Sequence, residues 1–385
     1  MRAPALAIVS AIVLAACGQA GPSASSAASP RPSPSGSTGQ ASPSPNTGPA
    51  PTELGGSFGV LASRPLPGEV IQLSIVAGDG WIAASTTAQP RTSFNCIGAG
   101  PILPLATVSA SSSRLYYLDG DTTVRFLAPD GTRGNVGRVP GGGQLASTFA
   151  VTPDGRRIAV VSTDYSQPTL PVKIYVEDVS GGGNHVEIYS GNGDHGVPWA
   201  MGWRSGQLVL GYTAGCTQGG GPFAAFPYEF HVVDGSSAVR RATLGSGAGC
   251  HTVSLPTPGG VACLAQSGEV QVLGWDGRPL RSFPASENQY FDYALSPSGV
   301  AVAACCEPAG ATTVLLAGNP ALHAAGVSGA ASGWIDDSLL LIGSPDKQSQ
   351  ARIFKTASGG GTIPVAAVGY FVARLPGGLD VGHGT

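Results

Sequence analysis

The sequence predicts an all-β protein, and the fold class it favours is a β-propeller of four-stranded blades. The first observation is a segment at residues 151–162, in which a Pro-Asp-Gly turn precedes a short apolar run. The second is that looser copies of this segment return at a mean period of roughly 43 residues, the spacing of propeller blades. The third is composition, since 58 glycines and 32 prolines favour turns, and few stretches show the apolar stripe of a helix.

The turn in this segment has a physical rationale. Pro153 fixes φ, Asp154 accepts hydrogen bonds from nearby backbone, and Gly155 tolerates a positive φ. The run that follows is β-branched and apolar without alternation, which is typical of a strand buried on both faces. The looser copies begin near residues 80, 113, 202, 258, 296 and 333.

A second predicted strand follows six of the seven segments, that is, the segment at 151–162 and every looser copy except the one near residue 80. These strands are residues 123–126, 172–176, 229–233, 269–273, 312–316 and 352–355. Asp-Gly pairs at 130, 234 and 276 predict hairpin turns into a third strand, with glycine-rich variants at 181–183 and 359–361. Seven copies predict seven blades. Six or eight blades stay open, because the segments near 55–66 and 368–375 can form a closing blade or only cover an edge. An open β-sandwich is the alternative fold.

The run at 152–159 resembles the Ser-Pro-Asp-Gly-x-x-Ile-Ala signature of WD40-like propeller repeats of the periplasmic TolB type. The match is strong at 152, fair at 296 and degenerate elsewhere. The resemblance covers roughly residues 70–375 as a fold. It implies architecture and little about function, because such propellers serve as protein-binding platforms, enzyme halves and sensors.

The N-terminus reads as an export signal. Residues 1–16 combine a short positive start with an apolar run at 5–16 that is too short to span a bilayer. The run ends in Leu-Ala-Ala before Cys17, which resembles a bacterial lipobox. We therefore expect cleavage before Cys17 and lipidation of that residue, which anchors the chain to the outer side of the cell membrane. A signal with a coincidental cysteine is the alternative.

Residues 17–53 after the signal contain Ser, Pro, Gly, Ala and Thr almost throughout. Such a chain has nothing to bury, and it predicts a disordered tether with a typical span of about 30–35 Å. Residues 54–385 then form the propeller domain. The scarcity of lysine points to a GC-rich bacterium and leaves open which kind of membrane holds the anchor.

Charge and motifs exclude several function classes. Charged residues make up 11% of the chain and the net charge is −3, which argues against binding of nucleic acid or of an anionic membrane through a basic surface. The Gly-rich run at 191–196 lacks a following helix, and no nucleophile elbow, zinc spacing or calcium loop occurs. The acidic pairs at 119–121 and 336–337 read as turns. We expect no cofactor, no metal, no catalytic residue and a monomer.

Six cysteines remain besides Cys17, an even number that suggests disulfides in an exported protein. The favoured pairs are Cys216 with Cys250, and Cys263 with either Cys305 or Cys306. Buried free thiols are the alternative. Full pairing allows fifteen combinations, so the connectivity stays open.

The blade pattern sorts the connections onto two faces. One face receives the tight turns, and the other receives long connections at 86–97, 163–171, 190–201, 213–226, 284–292 and 305–311. Long loops on a rigid scaffold are where binding usually resides. The candidate binding residues on these loops are Phe94, Asn95, Tyr165, His195, Trp199, Phe223, Glu287, Tyr290 and Glu307. The alternative is that these rings only pack over the blade edges.

These observations predict a lipid-anchored, extracytoplasmic propeller that binds a protein, peptide or glycan partner at the cell envelope without catalysis. The rival is a propeller enzyme, such as a glycosidase, lyase or lactonase, with its active site at the channel mouth. A structural spacer is a third possibility.

Overall fold

The computed structural model describes fourteen segments of the chain. They are residues 55–63, 69–92, 94–96, 100–102, 107–193, 196–213, 227–246, 249–284, 292–305, 312–316, 322–324, 332–343, 350–357 and 360–380. The predicted signal peptide, Cys17 and the tether lie outside the described residues. No helix in the described segments is long and apolar enough to cross a membrane.

The first half of the described chain contains thirteen β-strands. The first five are β1 (Phe58–Ala62), β2 (Ile71–Ala77), β3 (Ile82–Ala88), β4 (Phe94–Cys96) and β5 (Gly100–Ile102). The next four are β6 (Val108–Ala110), β7 (Leu115–Asp119), β8 (Thr123–Leu127) and β9 (Arg133–Arg138). They are followed by β10 (Leu145–Val151), β11 (Arg157–Asp164), β12 (Pro171–Asp178) and β13 (Val186–Asn192).

The second half continues the same pattern. Its first eight strands are β14 (Val197–Arg204), β15 (Gln207–Thr213), β16 (Glu229–Asp234), β17 (Arg240–Gly245), β18 (Cys250–Thr252), β19 (Val261–Ala265), β20 (Glu269–Leu273) and β21 (Pro279–Pro284). The next four are β22 (Asp292–Leu295), β23 (Ala301–Cys305), β24 (Thr312–Leu316) and β25 (Leu322–Ala324). The last five are β26 (Ser332–Asp336), β27 (Leu339–Ile342), β28 (Arg352–Lys355), β29 (Gly361–Pro364) and β30 (Tyr370–Leu375).

The strands form seven four-stranded antiparallel sheets, the blades of a seven-bladed β-propeller, and one separate two-stranded hairpin, β4–β5. Blade 1 has the strand order β30-β1-β2-β3, and blades 2 to 7 each take four consecutive strands from β6 to β29. The predicted fold class and the preferred blade count are confirmed. The six predicted second strands correspond to β8, β12, β16, β20, β24 and β28, the third strand of each blade from 2 to 7.

Apolar layers between neighbouring blades hold the ring together. Seven buried clusters fill the seven gaps, including the gap where Leu61 and Val76 of blade 1 meet Ile335 and Leu341 of blade 7. In blade 3 the inner strands β10 and β11 are buried almost throughout, whereas the outer strand β13 is largely exposed. Each sheet is therefore covered on both faces by its neighbours, which explains the apolar runs without alternation.

Two tryptophans join consecutive blades through the same contact. Trp203 on β14 donates its indole Nε1–H to the carbonyl of Ala150 on β10, at 2.9 Å. Trp334 on β26 donates in the same way to Ala294 on β22, also at 2.9 Å. Both rings are buried, so each satisfies its only polar atom while filling the gap between blades.

The ring closes through strands from opposite ends of the chain. The innermost strand β30 pairs with β1, and Phe58 lies opposite Leu375. The segments near 55–66 and 368–375 therefore build one closing blade together. The copy near residue 80 is misplaced in the sequence interpretation, because Gly80 and Trp81 lie in the outer turn before β3 rather than in an inner turn. Blade 1 has no inner turn, because its two inner strands are not consecutive in the chain.

Strand direction separates two faces of the propeller. The short-turn face carries the turns that join the first to the second and the third to the fourth strand of each blade, such as 152–156 and 179–185. The long-loop face carries the remaining connections, such as 165–170, and the hairpin β4–β5. This sorting agrees with the predicted one, although Val197–Arg204 is an innermost strand and not part of a loop.

Hydroxyl groups repeat on the short-turn face where inner turns begin. Thr152 Oγ1 accepts the backbone N–H of Arg157 at 3.0 Å, and Ser296 Oγ accepts that of Ala301 at 3.0 Å. Gly155 adopts a φ of +71° and donates its N–H to the Thr152 carbonyl. The Thr/Ser-Pro-x-Gly pattern thus predicts the turns near 152 and 296 because its hydroxyl and glycine satisfy the turn's own backbone.

The chain after β30 crosses the short-turn face as a strap, residues 376–380. The N–H of Gly377 bonds to the Ser111 carbonyl of blade 2, and that of Leu379 bonds to the Trp203 carbonyl of blade 4. Leu379 is buried at the inner end of the layer between blades 4 and 5. Asp380 accepts from the backbone N–H and the hydroxyl of Ser205 at 2.8 and 2.7 Å.

One disulfide is present among the described cysteines, between Cys250 and Cys263. The predicted pairing of Cys250 with Cys216 and of Cys263 with Cys305 or Cys306 is therefore wrong. Cys250 on β18 and Cys263 on β19 lie on adjacent strands of blade 5, two residues from direct opposition, so the bond closes within one blade rather than between blades. Cys216 and Cys306 lie outside the described residues.

Candidate functional site: the long-loop face

The long-loop face is where the sequence places the candidate binding residues. Phe94 and Asn95 lie on β4 of the hairpin that belongs to no blade, with Phe94 opposite Ile102 and Asn95 opposite Pro101. His195, Phe223, Glu287, Tyr290 and Glu307 lie outside the described residues.

Tyr165 and Trp199 are buried, with 2% and 6% of their surface exposed. They pack together with Ala146, Leu170 and Val197 between blades 3 and 4. These two rings follow the alternative that the sequence left open, in which they pack over the blades, because Trp199 belongs to an innermost strand and Tyr165 folds back directly after β11. Burial raises the pKa of Tyr165 far above its ordinary value, against the opposing effect of the nearby Arg91 charge. These two rings belong to the buried layer beneath the long-loop face.

The connection from β3 to the hairpin is clasped to blade 2 by two carboxylates. Asp119 accepts the backbone N–H of Gln89 at 2.7 Å. Asp121 accepts both the backbone N–H and the hydroxyl of Thr92, each at 2.8 Å. Arg125 Nε lies 2.8 Å from Asp119 and fixes that carboxylate in turn. The acidic pair at 119–121 is a turn, as predicted, and it also holds a segment about thirty residues away in sequence.

Arg91 reaches from this clasped connection to blade 3. One terminal nitrogen, Nη1, donates to the Ser147 carbonyl on β10 at 3.0 Å, and Nε is buried without a hydrogen bond. Among the described residues no carboxylate forms an ion pair with its guanidinium. Burial lowers the pKa of Arg91, and the Asp121 charge offsets part of this effect. The long-loop face therefore contains a partly desolvated positive charge, and Asp121, the carboxylate that acts on it, is hydrogen-bonded to Thr92.

A second polar group lies on blade 4, where the described chain breaks between Thr213 and Pro227. Glu229 accepts from Ser246 Oγ and approaches His231 Nε2, each at 2.6 Å. The His231 ring stacks on Tyr212, with centroids 4.1 Å apart.

The electrostatics of this group follow from burial. Burial lowers the pKa of His231, and the Glu229 carboxylate opposes that shift. Burial also raises the pKa of Tyr212 to about 12, so this phenol stays neutral in the physiological range. Ser246 and His231 thus both bond to Glu229, next to the connection between β15 and β16.

Sequence reasoning missed Arg91, Asp121, Glu229 and His231 as contributors to this face. Arg91 and Asp121 bond to segments distant in the chain, and Glu229 and His231 lie two residues apart on one strand, a spacing that by itself marks no site. Within the segments that the structure describes, no group of three His, Cys, Asp or Glu side chains is arranged to hold a metal ion.

Comparisons with known proteins give the chain no family. No family model and no curated protein matches the chain. Among solved structures it is similar to TolB from Acinetobacter baumannii, at 13% identity and a TM-score of 0.39, over 85% of this chain and 67% of that one. It is similar to BamB from Moraxella catarrhalis at 13% identity and a TM-score of 0.37, over 84% and 88% of the two chains.

An oligogalacturonate lyase in complex with manganese matches at 10% identity and a TM-score of 0.48, over 72% of this chain and 82% of the lyase. At such identities the likeness concerns the fold alone. The chain is a seven-bladed β-propeller.

Proposed function

We propose that this protein is a lipid-anchored, extracytoplasmic binding platform that recognises a protein, peptide or glycan partner at the cell envelope through the long-loop face. The lipid anchor at Cys17 and the tether at 17–53 are taken from the sequence. The recognition surface is supported by the structure of the long-loop face, and catalysis is not part of the proposal.

The observation that carries the proposal is the β4–β5 hairpin. The seven blades are complete without it, and the chain spends residues 89–106 on a connection that other blades make in a few residues. Asp119 and Asp121 clasp the start of this connection. A loop held by a rigid scaffold loses little conformational entropy on binding, which is how binding loops gain affinity.

Arg91 gives the proposed partner a chemical preference. Arg91 precedes the hairpin by three residues, and its partly buried guanidinium lacks an ion pair among the described residues. A carboxylate of the partner would compensate this charge in a site with little water, where a charge-assisted hydrogen bond is strongest. We therefore expect the partner to present an acidic group to this part of the face.

The test replaces the hairpin while keeping the blades. Residues 94–102 are exchanged for a short Gly-Ser link in the full chain, and binding partners are captured from an envelope extract with and without the change. The hairpin exchange should abolish recovery of the partner that the wild-type chain captures. The matched control is Arg156→Ala on the short-turn face, where the arginine is exposed and its carboxylate neighbour lies 3.9 Å away. Equal recovery by the hairpin exchange and the wild type would reject this surface.

A further inference from the structure

The short-turn face receives the chain from the N-terminal side. Strand β1 begins at Phe58 and runs from the short-turn face towards the long-loop face, since the loop that follows it belongs to the long-loop set. Residues 55–57 therefore enter the propeller at the short-turn face. The tether predicted at 17–53 ends only a few residues before this point. A lipid anchor at Cys17 would accordingly be connected to this face.

Exposed apolar side chains concentrate on the same face. Seven large hydrophobic residues of the described chain are exposed, and five of them lie in or next to short-turn connections. These five are Trp81, Val186, Val239, Leu255 and Leu280. They belong to blades 1, 3, 4 and 5, with Leu255 in an inner turn and the other four at outer turns, so they are spread over the face rather than gathered in one pocket.

Trp81 is the largest of these side chains, and 72% of its surface is exposed. Its turn is rigid, because Asp79 accepts the Trp81 N–H at 3.0 Å and the Trp81 carbonyl accepts the Ala77 N–H at 2.8 Å. Gly80, at a φ of +86°, packs directly against Ile363 and Pro364 of blade 7. The ring is thus presented to solvent by a fixed backbone. Tryptophan is the side chain that favours the boundary between lipid and water.

Three arginines between these apolar residues lie near opposite charges. Arg241 lies 3.1 Å from Asp234, Arg278 lies 3.7 Å from Asp276, and Arg156 lies 3.9 Å from Asp154. These opposite charges weaken the long-range field of their own turns.

The strap at 376–380 covers the inner ends of blades 2 to 4 on this face. A surface that covers the short-turn face would leave the β4–β5 hairpin accessible, because the hairpin lies on the opposite face.

We propose that the short-turn face rests on the outer surface of the lipid bilayer, so that the long-loop face points away from the membrane. This inference uses the lipid anchor of the proposed function. Individually weak apolar contacts suffice, because a tether of this length keeps the face at a millimolar effective concentration near the bilayer. The bilayer is the occupant, and the rim inserts only to the depth of the headgroups.

Trp81 is a built-in reporter for this arrangement. The chain has five tryptophans, of which Trp199, Trp203 and Trp334 are buried and Trp275 is partly buried. The full lipidated chain is reconstituted in vesicles of phosphatidylethanolamine and phosphatidylglycerol. The contribution of Trp81 is obtained by subtracting the emission spectrum of Trp81→Phe from that of the wild type.

If the short-turn face rests on the bilayer, the Trp81 emission should shift to shorter wavelength and become insensitive to acrylamide in the water. Lipids that carry a quencher near the headgroup should quench it. The Cys17→Ser chain in solution gives the reference for an exposed ring. The double variant Leu255→Ser and Leu280→Ser should restore acrylamide quenching in vesicles, whereas Val70→Ser on the long-loop face should not.

The outcomes separate this inference from the proposed function. Failure of the wild-type chain to float with vesicles would contradict the anchor itself. Flotation combined with a Trp81 signal that acrylamide still quenches would overturn the docking and leave the anchor intact. Shielding of Trp81 in lipid-free Cys17→Ser protein at high concentration, with a dimeric mass, would assign this face to a second copy and also overturn the proposal.

Discussion

The two faces of the propeller differ in how their polar groups are satisfied. On the short-turn face, hydroxyl and carboxylate groups bond to backbone within a few residues, as Thr152 and Asp154 do. On the long-loop face, Asp119, Asp121 and Arg91 bond to segments about thirty to fifty-six residues away. The turns of the first face are thus specified locally and repeat with the blades, whereas its strap is held by distant partners such as Ser205, which bonds to Asp380. The second face is assembled by contacts between blades, which allows it to differ from blade to blade.

This difference predicts which substitutions destabilise the whole propeller and which act only locally. The short-turn face and its strap contribute to the stability of the ring, whereas the clasped connections of the long-loop face are additions to a finished scaffold. Substitutions should therefore affect global stability on one face and local order or binding on the other.

The largest effect is expected for Trp203→Ala. The change removes a buried ring and its hydrogen bond to Ala150, and it should lower the free energy of unfolding by about 4 kcal/mol. Trp81→Ala is the matched control, because its ring is exposed and its loss should change stability by less than about 0.5 kcal/mol. Urea unfolding of both variants measures the difference, and equal costs would contradict the assignment of Trp203 to the gap between blades.

A somewhat smaller effect is expected for Leu379→Ala in the strap. Its side chain is buried against Gly202, so truncation should cost about 3 kcal/mol. The control is Leu280→Ala, whose side chain is mainly exposed and whose cost should be below about 0.5 kcal/mol. Thermal and urea unfolding check this, and an unchanged Leu379→Ala protein would show that the strap does not stabilise the ring.

Thr152→Ala should cost about 1 kcal/mol, because the backbone N–H of Arg157 loses its acceptor in the inner turn of blade 3. Thr152→Ser keeps the hydroxyl and should recover most of this loss. Urea midpoints of the two variants measure it. A serine variant as unstable as the alanine variant would mean that the methyl group, rather than the hydrogen bond, matters here.

Asp121→Ala should change global stability by less than about 1 kcal/mol while loosening the connection to the hairpin. Hydrogen exchange should speed up at Thr92 and in the hairpin and remain unchanged in blade 3. Asp130→Ala, in an exposed outer turn of the same blade, is the control that should leave Thr92 protected. A uniform increase in exchange across the blades would contradict the view that the clasp is local.

The smallest effect concerns pH and His231. Burial lowers its pKa in the folded protein, so the unfolded chain binds the proton more readily. The stability linked to His231 is therefore complete above its ordinary pKa of about 6.5 and is lost as the pH falls through the lowered folded value. Urea unfolding from about pH 8 to about pH 5 should show a shallower decline for His231→Gln than for the wild type. Parallel declines would assign the pH dependence to other groups.

The sequence anticipates much of the blade architecture because the blade is a local unit. Turn chemistry near 152 and 296, apolar strands and a period near 43 residues all act within one blade, and they predict the fold class and most strands. The first copy, near residue 80, fails because a glycine before an apolar run marks an outer turn as well as an inner one.

Candidate binding residues were less predictable. Tyr165 and Trp199 follow or interrupt glycine- and polar-rich stretches, which indicated exposed loops. Their burial depends on the neighbouring blade, which no local pattern describes. The pairing of Cys250 with Cys263 likewise depends on strand register within blade 5 rather than on cysteine spacing.

The sequence by itself determined the repeating unit, since hydroxyls and glycines satisfy the backbone of turns such as those near 152 and 296, and apolar β-branched runs form the strands between them. Only the tertiary structure decided how the ring closes, where the strap after β30 docks, and which side chains support the long-loop face. The physical reason is distance along the chain. β30 pairs with β1 across more than three hundred residues, and such a contact is selected by the geometry of the whole ring rather than by neighbouring residues.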